Sequence, residues 1–170
     1  MMSTAAKRLA GLGLELPNPA KPLAAYVPAV RSGSWVVTSG QLPTVDGQLI
    51  ARGFVASDPA EQVMDGWVID AGVVSLDDAQ RCARQAALNG LAAVVALTGS
   101  LDAVVQVVKV TGFVAGVDGF VDHPQVLNGA SELLAALWPD SAGHARSAVG
   151  VSSLPLGAPV EVELIVEVLG

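Results

Sequence analysis

An α+β fold is predicted by three features of this 170-residue chain. Ser75-Leu76-Asp77-Asp78 opens a long Ala- and Leu-rich helical stretch, residues 101–116 form a valine-dominated run of strand character, and residues 124–138 carry a second apolar stripe. Two helices on one face of a mainly antiparallel sheet would bury both stripes and one side of the strand.

From the N-terminus, residues 4–14 read as a short amphipathic helix, and the prolines at 17, 19 and 22 stop it because proline lacks the amide a continuing helix needs. This delimits an N-terminal arm over residues 1–22 and one α+β domain over 23–170. Residues 26–30 and 34–39 are apolar or β-branched, with Arg31-Ser32-Gly33-Ser34 as the turn between two short strands. Gly40-Gln41-Leu42-Pro43 ends the second, and Asp46-Gly47 is a tight-turn dipeptide leading into another strand. Residues 54–74 give no clear pattern.

Ser75 and Asp78 stand in capping-box spacing, so a helix starts there and runs to about residue 97. From Ala86 onward its apolar residues occupy most of the cylinder, as in a helix buried against a sheet. The strand at 101–116 has valines on both alternating faces, the pattern of a strand covered on both sides. Helices account for one side; a neighbouring subunit is the expected cover for the other. In the second helix Val126, Leu127, Leu133, Leu134 and Leu137 make the stripe, and the chain closes on Val160-Glu161-Val162-Glu163, where valines alternate with glutamates.

Composition narrows the function classes. With 52% apolar and 15% charged residues the chain is built to fold and carries more apolar surface than one small domain hides, which predicts an oligomer. A net charge of -7, with only nine Lys and Arg, argues against a protein that grips phosphate backbones. No signal peptide or membrane span is apparent, so a cytoplasmic location is expected. Cys82 is the single cysteine, which excludes an intrachain disulfide and a cysteine metal cluster. Arg81 and Arg84 beside it favour a lowered thiol pKa, whereas burial would make it a spectator.

The stretch from His144 to Val168 carries the chemistry. An arginine among apolar neighbours is costly without an acceptor, so Arg146 needs a partner. On a strand it shares a face with the small residues Ala148 and Gly150. If the following segment returns antiparallel, Glu161 and Glu163 fall on that same face. The pattern fits a cross-strand ion pair, and it fits a carboxylate-binding arginine whose planar fork suits a small acid. Phosphate loops, His-Glu-x-x-His helices and Gly-x-Ser-x-Gly elbows are absent, and the two histidines, His123 and His144, stand near element boundaries.

Ala145-Arg146-Ser147, then Leu154-Pro155, then Val160-Glu161-Val162-Glu163 resembles the C-terminal signature of the RidA/YjgF family. Tyr26-Val27-Pro28 and Ser39-Gly40-Gln41-Leu42-Pro43 resemble its N-terminal signature in the same order, with Lys109-Val110-Thr111-Gly112-Phe113, Phe120 and Asn128 falling between. The resemblance spans residues 26–168. It implies a chorismate-mutase-like fold, a homotrimer with clefts between subunits, and hydrolysis of 2-aminoacrylate-type enamines and imines to 2-oxoacids and ammonia. No metal or organic cofactor is implied.

By the same resemblance, Arg146 holds the substrate carboxylate and Glu161 positions water, with Tyr26, Ser39, Gly40 and Asn128 contributing to substrate binding. Read from the residues alone, Tyr26 is an edge-strand core residue, Ser39 and Gly40 a strand-ending turn, and Asn128 a polar residue on the second helix. Ala148 stands where many family members have cysteine. The arm and residues 57–74 resemble a longer branch of the family. Two other functions remain open: a noncatalytic trimeric binder of small carboxylates, and the endoribonuclease or translation-inhibitor activity attached to the family's names, which the acidic charge disfavours.

Overall fold

The computed structural model describes residues 4–19, 25–57, 72–141 and 143–170. The proposed boundary at 22/23 and most of the 57–74 segment lie outside these residues. The first helix, α1 (Ala5–Gly11), is capped by Thr4, whose side chain accepts from the Lys7 amide. It buries Ala5 and Leu9 against the body of the molecule.

Two short strands follow, β1 (Ala29–Ser32) and β2 (Trp35–Thr38), joined at Gly33 and Ser34. The first begins three residues later than residues 26–30 suggested, because Val27 and Pro28 are held by the Ser39 side chain and amide rather than by a strand partner. A miniature hairpin, β3 (Thr44–Val45) and β4 (Gln48–Leu49), turns at Asp46 and Gly47. Both turn residues have positive φ, 51° and 79°, as the expected two-residue turn requires. Next come β5 (Phe54–Ala56) and β6 (Val73–Ser75), which pair in parallel.

The long helix α2 (Leu76–Thr98) starts at Ser75, whose Oγ accepts from the Asp78 amide at 3.1 Å and donates to the Asp78 carboxylate at 2.9 Å. One turn of 3-10 helix (Leu101–Ala103) leads into β7 (Val104–Ala115), so the predicted strand loses its first three residues to a turn. The remaining elements are α3 (His123–Leu137), β8 (Ala145–Val151) and β9 (Val160–Val168).

The main sheet has the order β1-β2-β9-β7-β8, antiparallel except for the parallel pair of β7 with β8. Here the expected antiparallel return from Arg146 to the glutamates is corrected: β7 lies between β8 and β9. The chain runs β7, then α3, then β8, and a strand returning through a helix arrives parallel to the strand it left.

Both long helices pack on one face. Leu164 of β9 reaches Gly90 of α2, and Leu127 of α3 lies over Gly112 of β7. Leu91, Leu127, Leu134, Leu137, Leu164 and the alternate valines of β9 are completely buried between helices and sheet. The helices themselves meet closely, for a Cβ at Gly129 would collide with the backbone carbonyl of Gln80. On the other face of the sheet Val30, Trp35 and Val37 stand 54%, 46% and 40% exposed. On β7 itself Thr111 and Phe113, which face the same way, are half-buried, so its second side is only partly covered within one chain. Among the described residues no helix is long and apolar enough to cross a membrane.

Candidate functional site

Arg146 sits on β8 opposite Val110 of β7, which in turn pairs with Leu164 of β9. Directly paired residues point to the same side of a sheet, so Arg146 shares the helix-facing side, as Ala148 and Gly150 do. Its Nη1 donates to Asn128 Oδ1 at 2.9 Å and to Ser131 Oγ at 3.1 Å, both on α3. The acceptors that the sequence demanded are thus neutral. Among the described residues the carboxylate ion pairs are Arg8 with Asp140 and Arg81 with Asp78, and Arg146 is in neither. A depression of about 590 Å³ beside it is lined by Val107, Ser131, Leu134, Trp138 and His144.

Glu161 is elsewhere. It pairs with Phe113, and Glu163 with Thr111, which turns both carboxyls to the face away from the helices. The expectation that they share a face with Arg146 is overturned, since the intervening strand and the register put them on opposite sides. The Glu161 carboxyl is half-buried, and burial, followed by the nearby charge of Glu163, raises its pKa above the ordinary carboxylate range.

Gly40 creates the space for that carboxyl: a Cβ there would occupy the position of Glu161 Oε1. The approach is fixed by Gln41, whose amide donates to Val162 O at 2.9 Å while Val162 N donates back to Gln41 O at 3.0 Å. Ser39 plays a supporting part, its hydroxyl donating to Val27 O at 2.7 Å and its amide to Pro28 O at 2.8 Å. This ties the Tyr26 segment beside Gly40. Tyr26, Gly40 and Glu161 together line a cavity of about 720 Å³, with Leu42 and Leu156 on its apolar wall.

Asn89 and Gln85, one helical turn apart on α2, close the floor of this cavity. Asn89 Nδ2 donates to Leu42 O at 2.8 Å and Thr44 O at 3.0 Å, and Gln85 Nε2 donates to Asn89 Oδ1 at 2.9 Å. Sequence reasoning missed Asn89 and Gln85 as candidate site residues. The signal was a pair of amides at i and i+4 where α2 passes from its charged first half to its apolar second half. Ser131 was missed as well, although it follows Asn128 by three residues and so lies on the same helical face.

The site residues therefore form two groups within one chain: Tyr26, Ser39, Gly40 and Glu161 on one side, Asn128 and Arg146 on the other. Among the described residues no three His, Cys, Asp or Glu side chains converge as metal ligands. Cys82 is completely buried, and its thiol pKa is pushed up to about 12, by burial first and then by the charge of Asp78. Arg81 and Arg84 do not offset this.

The sequence profile of the family described as "YjgF/chorismate mutase-like, putative endoribonuclease" matches residues 6–168. The chain belongs to the YjgF family. Protein TCP17 of Trypanosoma cruzi is 36% identical over 163 residues, covering 95% of this chain and 92% of that protein. The crystal structure of a putative endoribonuclease from Shewanella oneidensis superposes with a TM-score of 0.84 at 28% identity, covering 98% of this chain and all of the other. Atu1372 of Agrobacterium tumefaciens, a protein of unknown function, is 39% identical with a TM-score of 0.79, covering 97% of this chain and 92% of its own. YjgF membership accords with the signature residues from Tyr26 to Val168, and the family match extends through most of α1.

Proposed function

We propose that this protein is a cofactor-independent enamine/imine deaminase working in clefts between the copies of a homotrimer. A 2-aminoacrylate-type enamine takes a proton at C3 to become the 2-iminoacid. Water then adds to the imine carbon, and the resulting carbinolamine expels ammonia to leave the 2-oxoacid. The substrate is already electrophilic at carbon, so the protein has to anchor its carboxylate, orient one water and accept that water's proton. Arg146 is the anchor. Glu161 is the water-orienting group, with Tyr26 and Gly40 shaping the space beside it and Ser39 holding that wall in place.

The observation that carries this reading is the setting of Glu161: a half-buried carboxyl with a raised pKa, packed onto Gly40 at a cavity. Raising a carboxyl toward working pH improves it as a proton acceptor and donor. A site shared with a second copy is supported by the sheet, in which two strand spacings of about 4.8 Å and opposite faces separate Glu161 from Arg146 in one chain. The exposed Val30, Trp35 and Val37 supply an apolar surface for that copy to cover.

A noncatalytic carboxylate binder is the second reading, favoured by the same fixed arginine. Ammonia release from freshly generated 2-aminoacrylate separates the two. The wild-type protein is expected to accelerate it, and Arg146→Lys to lose more than about tenfold, because lysine keeps the charge without the two-donor fork. No acceleration by the wild type would leave only the binder, and equal rates in the two proteins would remove Arg146 from the site.

A further inference from the structure

We infer that Ser131 is a positioning residue for Arg146 and that, with Asn128, it determines which edge of the guanidinium meets the ligand. The inference rests on the reading of Arg146 as a carboxylate anchor and goes beyond it. Nη1 carries two protons, and it has two acceptors on α3, Asn128 Oδ1 and Ser131 Oγ. Residues three apart on a helix face the same way, so the two acceptors form one cradle. The Nη1 side of the fork is therefore consumed by the protein.

An arginine can hold a carboxylate end-on through Nη1 and Nη2, or side-on through Nε and Nη2. Among the described residues neither Nε nor Nη2 of Arg146 has an acceptor, so the side-on edge is the one left for a planar carboxylate. Two acceptors on one nitrogen also block rotation about the Nε–Cζ bond. Asn128 alone would hold one proton and leave the other free. Ser131 completes the cradle, and the ligand then meets a guanidinium already turned to receive it.

Two measurements test this. Calorimetric titration with pyruvate should show Ser131→Ala binding roughly tenfold more weakly than wild type, the scale of one charge-assisted hydrogen bond. Ser131→Thr, which keeps the hydroxyl, should return to within about twofold. Nitrogen NMR of the Arg146 side chain, assigned by its loss in Arg146→Lys, should show separate Nη1 and Nη2 signals in wild type and Ser131→Thr, merging in Ser131→Ala. Unchanged affinity and unchanged Nη signals in Ser131→Ala would overturn the inference. So would a Ser131→Thr protein as weak as the alanine variant, since the loss would then come from packing. If Nη signals merge in Ser131→Ala but pyruvate binds none of the proteins, the positioning role stands and the carboxylate anchor falls.

Discussion

At the scale of single residues, Glu161 makes the sharpest demand. Its pKa is higher in the folded protein than in the unfolded chain, so between its ordinary 4.5 and the raised value the folded state binds more protons. Stability then falls as pH rises through that window, the opposite of the salt-bridged carboxylate. Glu161→Gln removes this slope. Thermal unfolding from pH 4 to 7 should show wild type losing ground against the variant as pH increases. The same substitution should lower imine hydrolysis by about 100-fold or more while leaving pyruvate affinity nearly unchanged, because an amide keeps the shape and loses the proton acceptor. Glu163→Gln should have the smaller kinetic effect. A fully active Glu161→Gln protein would end the water-positioning role.

At the scale of elements, the approach of α2 and α3 is set by Gly129, where a Cβ would run into the Gln80 carbonyl. Gly129→Ala gains about 1 kcal/mol of helix propensity but forces two backbones apart, an overpacking cost of about 1–3 kcal/mol. Urea unfolding should show a net loss larger than that for Gly90→Ala, whose added methyl meets the movable end of Leu164. A Gly129→Ala protein as stable as wild type would show that the helices do not touch there. The elements themselves were largely legible: the Ser75 cap, the Asp46-Gly47 turn and the 3.6-residue stripe of α3 are local signals. The neighbour of β8 was not. Proximity in sequence favoured a hairpin with β9, whereas burial gave β7 both partners. The missed signal was the helix between β7 and β8, which marks a parallel crossover. That error placed Arg146 and Glu161 on one face, because their spacing was read as a hairpin in which no strand intervenes.

For the whole molecule, one chain presents a fixed arginine on one side of its sheet and a half-buried glutamate on the other, beside an uncovered apolar face. A ring of identical copies would reconcile these, each site drawing Arg146 from one chain and Glu161 from the next. Subunit mixing tests the claim most directly. Arg146→Lys and Glu161→Gln proteins, each nearly inactive alone, are unfolded, combined in equal amounts and refolded, and ammonia release is measured on assemblies shown by mass to contain both. In every mixed trimer one of the three sites joins an intact arginine to an intact glutamate, so about a third of wild-type activity should return. Mixed assemblies no more active than the average of their two parents would contradict a site shared between copies.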